Sequence, residues 1–213
     1  MFLTGTMVGV VPQVKSRRGE YTEATRRALL DAAADLFTER GFARTSLDDV
    51  AAVARVTKGA IYHHFASKPG LFEALFDELE LSENGAARAA FEAEDDPTTG
   101  ALAALDQFLL ACSDPVYGAM VFREAPLALG WDAWRRCEEK YSYALLRDML
   151  GALEAAGRIP PSPGEALPSI AFGMLGAAGQ LLARTPAQDR ERVRAECRMP
   201  FAALLAGLGA SGS

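Results

Sequence analysis

The chain has 213 residues, 50% of them hydrophobic and 23% charged, which is globular composition and excludes a disordered tail or a collagen-like rod. Its 22 Lys and Arg against 28 Asp and Glu leave a net charge of −6. Cys112, Cys137 and Cys197 lie far apart with no C-x-x-C pair, which argues against a disulfide framework or thiolate zinc site and for a reducing, cytoplasmic setting.

Met1 to Val14 is apolar and uncharged, but it has no basic start and Pro12 interrupts it, so it does not read as a secretory signal. It reads as a loose arm, with Met7 as a candidate natural start. The charge is unevenly spread. Lys15 to Lys68 holds ten basic and seven acidic residues, a net of +3, whereas the chain from Pro69 onward carries −9. A basic first quarter on an acidic protein suggests that one part faces a polyanion.

The pattern is helical throughout, rich in alanine and leucine and almost without β-branched alternation. Thr22 is placed to cap a first helix whose stripe is Ala28, Leu29, Ala32, Ala33, Leu36 and Phe37, with Gly41 as a left-handed stop. Ser46 and Asp49 have the spacing of a capping box for a short helix through Ala54. Thr57 is positioned to cap a second short helix from Lys58 to His64. Ser67 is positioned to cap a longer one, to about Ala93, with Pro69 in its first turn. Residues 94–100 read as a boundary. Further helices are expected at Ala101–Ala111, Pro115–Leu129, Trp131–Ala156, Glu165–Arg184 and Ala187–Leu208. Pro200 is expected to kink or break the last.

Two short helices joined by Arg55-Val56-Thr57 have the layout of a helix-turn-helix. Val50 and Ala51 face the core, Val56 plugs the turn and Ile61 docks the second helix on the first. Lys58, Gly59, Tyr62 and His63 are left on the outer face, with Thr57 at the helix start. An N-terminus with free N–H groups, a hydroxyl and a lysine suits phosphate. His63 and His64 diverge by about 100° on a helix and cannot chelate one ion together; no metal or cofactor site is read.

The run T-S-L-D-D-V-A-A-V-A-R-V-T-K-G-A-I-Y-H-H-F-A-S-K-P-G-L, within a match from about Thr22 to Leu75, resembles the tetracycline-repressor (TetR) family of bacterial transcriptional regulators. One departure is Arg55, where the family's turn usually carries glycine; a left-handed backbone there costs arginine roughly 1 kcal/mol. The resemblance implies an all-α fold with a flexible arm at 1–20, a helix-turn-helix DNA-binding domain at 21–66 and an effector-binding and dimerisation domain at 67–213. It implies that Thr45, Ser46, Thr57, Tyr62 and Lys68 mostly hold phosphates of double-stranded DNA. Base reading falls to Lys58 and His63, with Gly59 allowing close approach and Arg44 as a further candidate. Lys15, Arg17 and Arg18 are either a minor-groove arm or a solvated tail.

In the helix Glu165–Arg184 an apolar stripe runs through Leu167, Ile170, Ala171, Met174, Leu175, Ala178, Leu181 and Leu182. A second face holds Ser169, Gly173, Gly176, Ala177 and Gln180. Its 18 uncharged residues, Ala166 to Ala183, approach the length of a membrane span, but burial between protein helices is the reading adopted, with no membrane partner. With the last helix it would build a four-helix bundle across a two-fold axis, and the family resemblance implies the same homodimer.

Phe108, Cys112, Met120, Phe122, Trp134, Tyr141 and Phe172 are either core or the lining of a pocket for a small, mostly apolar or aromatic effector; that some line a cavity follows from the family. Arg123 and Glu124 are either its polar handles or an interhelical salt bridge. No G-x-S-x-G, H-E-x-x-H or glycine-rich phosphate loop is present, so an enzyme is not expected. The expected function is a ligand-responsive, homodimeric repressor on a palindromic operator. The alternative is a helical small-molecule-binding protein without specific DNA binding.

Overall fold

The computed structural model describes residues 17–210, whose regular structure is entirely helical. The helices are α1 (Arg17–Arg40), α2 (Leu47–Val53), α3 (Lys58–His64), α4 (Lys68–Glu92) and α5 (Pro97–Ser113), then α6 (115–129), α7 (131–155), α8 (Ala166–Arg184) and α9 (Arg190–Ala210). The expected arm Met1–Val14 and Lys15 lie outside the described residues. Arg17 and Arg18 open α1 and are not part of a tail, so Thr22 sits inside the helix and not at its cap.

The caps of the short helices follow from side chains that replace missing backbone partners. Ser46 Oγ accepts the Asp49 N–H at 3.1 Å, and Asp49 Oδ2 accepts the Ser46 N–H at 2.9 Å. The Ser46 hydroxyl, donating to Asp49 Oδ2 at 2.6 Å, and then the Ser46 N–H hold the Asp49 carboxyl below its usual range. Thr57 Oγ1 accepts from Ala60 and Ser67 Oγ from Gly70. Gly41 ends α1 at φ 81°, and Arg55 takes φ 56° in the turn between α2 and α3. Arginine therefore occupies a left-handed position there.

Beneath the caps lies one continuous core. Leu29, Ala33 and Phe37 of α1 pack with Val50, Ala51 and Ile61 and with Leu71, Phe72 and Phe76 of α4. Phe37, Phe42 and Phe72 form a ring cluster with centroids 5.5–5.6 Å apart. The same core continues into the second half through Leu109, Cys112, Tyr117, Met120 and Leu182. One helix, α4, serves both halves.

Three features of the second half differ from the periodicity reading. Asp96 caps α5, accepting from Thr98 and Thr99 at 3.2 Å, so residues 97–100 are its first turn and not a linker. Both α6 and α7 contain a π-helical segment, Ala119–Glu124 and Glu139–Tyr143 respectively. α9 runs on through Pro200 without a break.

The apolar stripe of α8 is divided. Ala171, Ala178 and Leu182 are buried, whereas Ile170 and Leu181 are more than half exposed. Gly176 and Gly179 face inward, unlike the outer small-residue face expected for Gly176; a methyl on Gly179 would overlap the Phe122 ring.

Gly100 controls the approach of α5 to α4. A Cβ there would lie 2.7 Å from the Phe91 carbonyl oxygen, a backbone atom that cannot rotate away. Gly100→Ala is expected to cost about 1–3 kcal/mol, the range for overpacking. At roughly 2–4 °C per kcal/mol, a thermal melt should register the loss clearly. An unchanged melting temperature would show that the helices separate at no cost.

Candidate nucleic-acid interface and internal cavity

The outward face of α3 carries Lys58, Gly59, Tyr62 and His63, all exposed, with Thr57 exposed at its start. Lys58 Nζ forms an ion pair with Asp48 Oδ2 at 2.7 Å, which raises the lysine pKa further, and lies 5.9 Å from the Tyr62 ring centre. His64, one position on, is half-buried; burial and the neighbouring His63 and Arg26 lower its pKa. Arg44, Ser46, Tyr62, Ser67 and Lys68 border a shallow groove between the α1–α2 connection and the end of α3. The structure therefore brings most of the expected DNA-facing residues onto one surface.

Four of them have other engagements. Thr45 is 2% exposed, and its hydroxyl donates to the Gly41 carbonyl at 3.0 Å; the expectation of a surface phosphate ligand is corrected to a buried loop brace. Lys68 Nζ donates to the Phe42 carbonyl at 2.7 Å and stands 4.2 Å over the Phe42 ring, so it first ties α4 to this loop. Ser46 is exposed but its hydroxyl is held by Asp49, and Arg44 Nε donates to the Arg40 carbonyl.

The Phe42 backbone is held at both ends. Its N–H donates to Glu124 Oε2 at 2.8 Å, and Glu124 comes from α6 in the second half. Arg123 pairs with Glu124 at 2.8 Å and donates to the Thr38 carbonyl at 3.1 Å. Gly41 lets this buried carboxylate approach, since a Cβ there would sit 3.3 Å from Glu124 Oε2. Arg123 and Glu124 are thus a clamp onto the end of α1. They do not line the cavity, and the polar-handle alternative is set aside.

A cavity of about 150 Å³ lies among α4 to α9. Leu102, Leu105, Leu145, Leu175 and Leu205 give much of its wall. Of the residues proposed from sequence, Phe108, Phe122 and Phe172 line it. Cys112 and Met120 are instead packed in the core. Trp134 is buried on α7 outside the lining, with Nε1 unpartnered. Tyr141 donates to Asp77 Oδ1 at 2.8 Å, also away from the cavity. Cys112, Met120 and Trp134 thus take the core alternative, and Tyr141 is engaged by Asp77 of α4, so these four do not line the cavity.

The polar end of the cavity was not anticipated. Glu80 is fully buried and accepts from Tyr117 Oη at 2.8 Å, Ser142 Oγ at 3.0 Å and Asn84 Nδ2 at 3.1 Å. Burial still outweighs these bonds and raises its pKa. Glu138 is 7% exposed and lines the cavity, with Oε1 unpartnered. Burial, then the charge of Glu80, pushes its carboxyl well above the usual range. The only sequence signal was Glu at two otherwise core-facing helix positions.

A carboxyl whose pKa is raised in the folded state ionises first in the unfolded chain. Stability is therefore lost as pH climbs from the ordinary carboxylate range through the raised folded value. Glu138→Gln removes that penalty. Its melting temperature should exceed that of the unmodified chain more at pH 8 than at pH 5, by about 2–4 °C for each kcal/mol relieved. An equal difference at both pH values would contradict the buried ionisation.

Comparison with known proteins agrees with this architecture. Residues 29–75 match the profile of the bacterial regulatory proteins of the tetR family, and residues 98–208 match the tetracyclin repressor-like C-terminal domain. The HTH-type transcriptional regulator TtgR of Pseudomonas putida is 45% identical over 80 residues, 38% of each chain. The HTH-type transcriptional repressor KstR2 of Mycobacterium tuberculosis is 46% identical over 70 residues, 33% of this chain and 29% of that protein. The chain thus spans well under half the length of these curated relatives. A TetR-family regulator from Pectobacterium atrosepticum superposes with TM-score 0.72 at 28% identity, covering 91% of this chain and 97% of that one. RolR in complex with resorcinol shares the fold at 18% identity and TM-score 0.62, covering 89% and 95%. With a helix-turn-helix at one end, a cavity-bearing helical body at the other, and both halves matched, the chain belongs to the tetR family of bacterial transcriptional regulators.

Proposed function

We propose that the protein is a homodimeric repressor that leaves a palindromic operator when a small, mostly apolar ligand enters the cavity among α4 to α9. The observation that carries this reading is the double engagement of α6. Phe122 is part of the cavity wall, and two residues later Glu124 accepts the Phe42 N–H at the base of the helix-turn-helix. A ligand that displaces the Phe122 ring acts on a helix bonded to the DNA-facing half. To release DNA it must bind the DNA-incompetent arrangement better, by a few kcal/mol.

In this reading Lys58, Tyr62 and His63 enter the major groove, with Thr57, Ser46 and Arg44 at the flanking phosphates. Lys58 exchanges Asp48 for DNA, and Lys68 and Thr45 keep the loop in place from within. Residues 21–66 then act as the DNA-binding unit and 67–213 as the effector-binding and dimerisation unit. The outward α8 face, with Ile170, Gly173, Ala177 and Leu181, joins α9 in the dimer contact. The two α3 helices then reach successive major grooves about 34–36 Å apart.

The test is an anisotropy titration with the DNA upstream of the coding region, against scrambled DNA at two salt concentrations. Specific, salt-sensitive binding by two protomers per site is expected. Lys58→Ala should weaken it about tenfold or more, and should relax sequence preference if the lysine reads a base. Tyr62→Phe should weaken binding to every sequence by about tenfold, the loss of one hydrogen bond to a charged group. Binding to neither DNA at low salt would favour a helical ligand-binding protein that does not read DNA.

A further inference from the structure

Apolar walls favour an apolar ligand of almost any kind, but the polar end of the cavity is selective. No lining residue is Lys, Arg or His, and the lining includes Glu83 and Glu138. Tyr117, Asn84 and Ser142 are the neighbouring donors, and all three already serve Glu80. Glu138 Oε1 is left without a donor although the residue is more than nine-tenths buried on the cavity wall. Around Glu138 the ionisable groups are Glu80 from α4, Cys112 from α5, Tyr117 from α6 and its own neighbour Cys137. Each of these is either neutral or negative.

An ionised carboxylate in this position costs several kcal/mol unless it is paired. A neutral apolar ligand leaves that oxygen unmet, and an anionic ligand meets two buried carboxyls. An ammonium group brings both donors and the compensating charge. The volume suits a body no larger than one ring or a short chain, since a cavity of about 150 Å³ holds benzene.

We infer that the ligand of this cavity is a small organic cation, a primary amine on a single-ring or short-chain apolar body, whose ammonium head is held by Glu138 beside the Glu80–Tyr117 pair. This rests on the reading of the cavity as the effector site and names the ligand class. As the ammonium head arrives, any proton on the Glu138 carboxyl passes to solvent, and a carboxylate–ammonium pair forms. Phe108, Phe122 and Phe172 enclose the body of the ligand. Glu80, already supplied with three donors, keeps its place and adds field.

The test uses the full chain and three probes with nearly the same body: 2-phenylethylamine, 2-phenylethanol and 3-phenylpropanoate. Isothermal titration at pH 7, in phosphate and in Tris, is expected to find the amine at least tenfold tighter than the alcohol and no binding of the carboxylate. The amine heats should differ between buffers in the direction of proton release; the alcohol heats should not differ. Glu138→Gln should abolish the amine preference while leaving alcohol affinity within threefold. Should that variant not fold, the buffer dependence in the unmodified chain remains decisive.

Equal affinity for amine and alcohol, tighter binding of the carboxylate, or no proton release would overturn the inference. If the alcohol still binds in that case, the cavity survives as a ligand site of different chemistry. If none of the three binds at millimolar concentration, the effector-site reading of the cavity falls together with the inference.

Discussion

Everything in this molecule is referred to one rod. Near its N-terminus α4 buries Leu71, Phe72, Leu75 and Phe76 among α1, α2 and α3; further along, it carries Glu80, Glu83 and Asn84 to the cavity. Its 25 residues form a single helix, so a displacement at one end is transmitted with little loss to the other. The close crossing with α5 at Gly100 and the Lys68 bond to the Phe42 carbonyl fix that rod at both ends. Such a design joins the apolar interior to the polar surface without a flexible intermediary.

The DNA-facing end is built with restraint on its charge. Asp48 and Asp49 stand at the start of α2, where acidic side chains suit the helix dipole, and Asp48 holds Lys58. The lysine is therefore positioned and partly neutralised before any polyanion arrives. An exposed ion pair is worth little in high dielectric, so this contact does more to place the lysine than to stabilise the fold.

The first third was legible because its signals are local. Ser46 with Asp49, Thr57, Ser67 and Gly41 state helix ends within three or four residues, and each end occurs where its cap stands. Arg55 shows the limit even there, because its left-handed backbone came from the pattern of the turn and not from the residue itself. The burial of Thr45 and the tie from Lys68 to Phe42 were not legible, because a polar residue gives no sign of the carbonyl it will find across a loop. The cavity was harder still. Helical period places residues on a face, but the π-helical segments in α6 and α7 shift that face midway, and burial of Glu80 and Glu138 depends on helices far off in sequence.

Those two segments carry a consequence for how such a chain diversifies. A π turn accommodates one more residue than the α turn that it replaces, and Ala119–Glu124 and Glu139–Tyr143 border the cavity from two sides. Loss of a single residue from either would return that turn to α geometry while the stretches on both sides keep their faces. In α6 the change is confined to the turn that holds Phe122 and Glu124, between the cavity wall and the end of α1. In α7 it is confined to the turn that holds Ser142, next along the wall from Glu138. One codon lost thus remakes a patch of the lining while both helix ends and the loops between them stay in place.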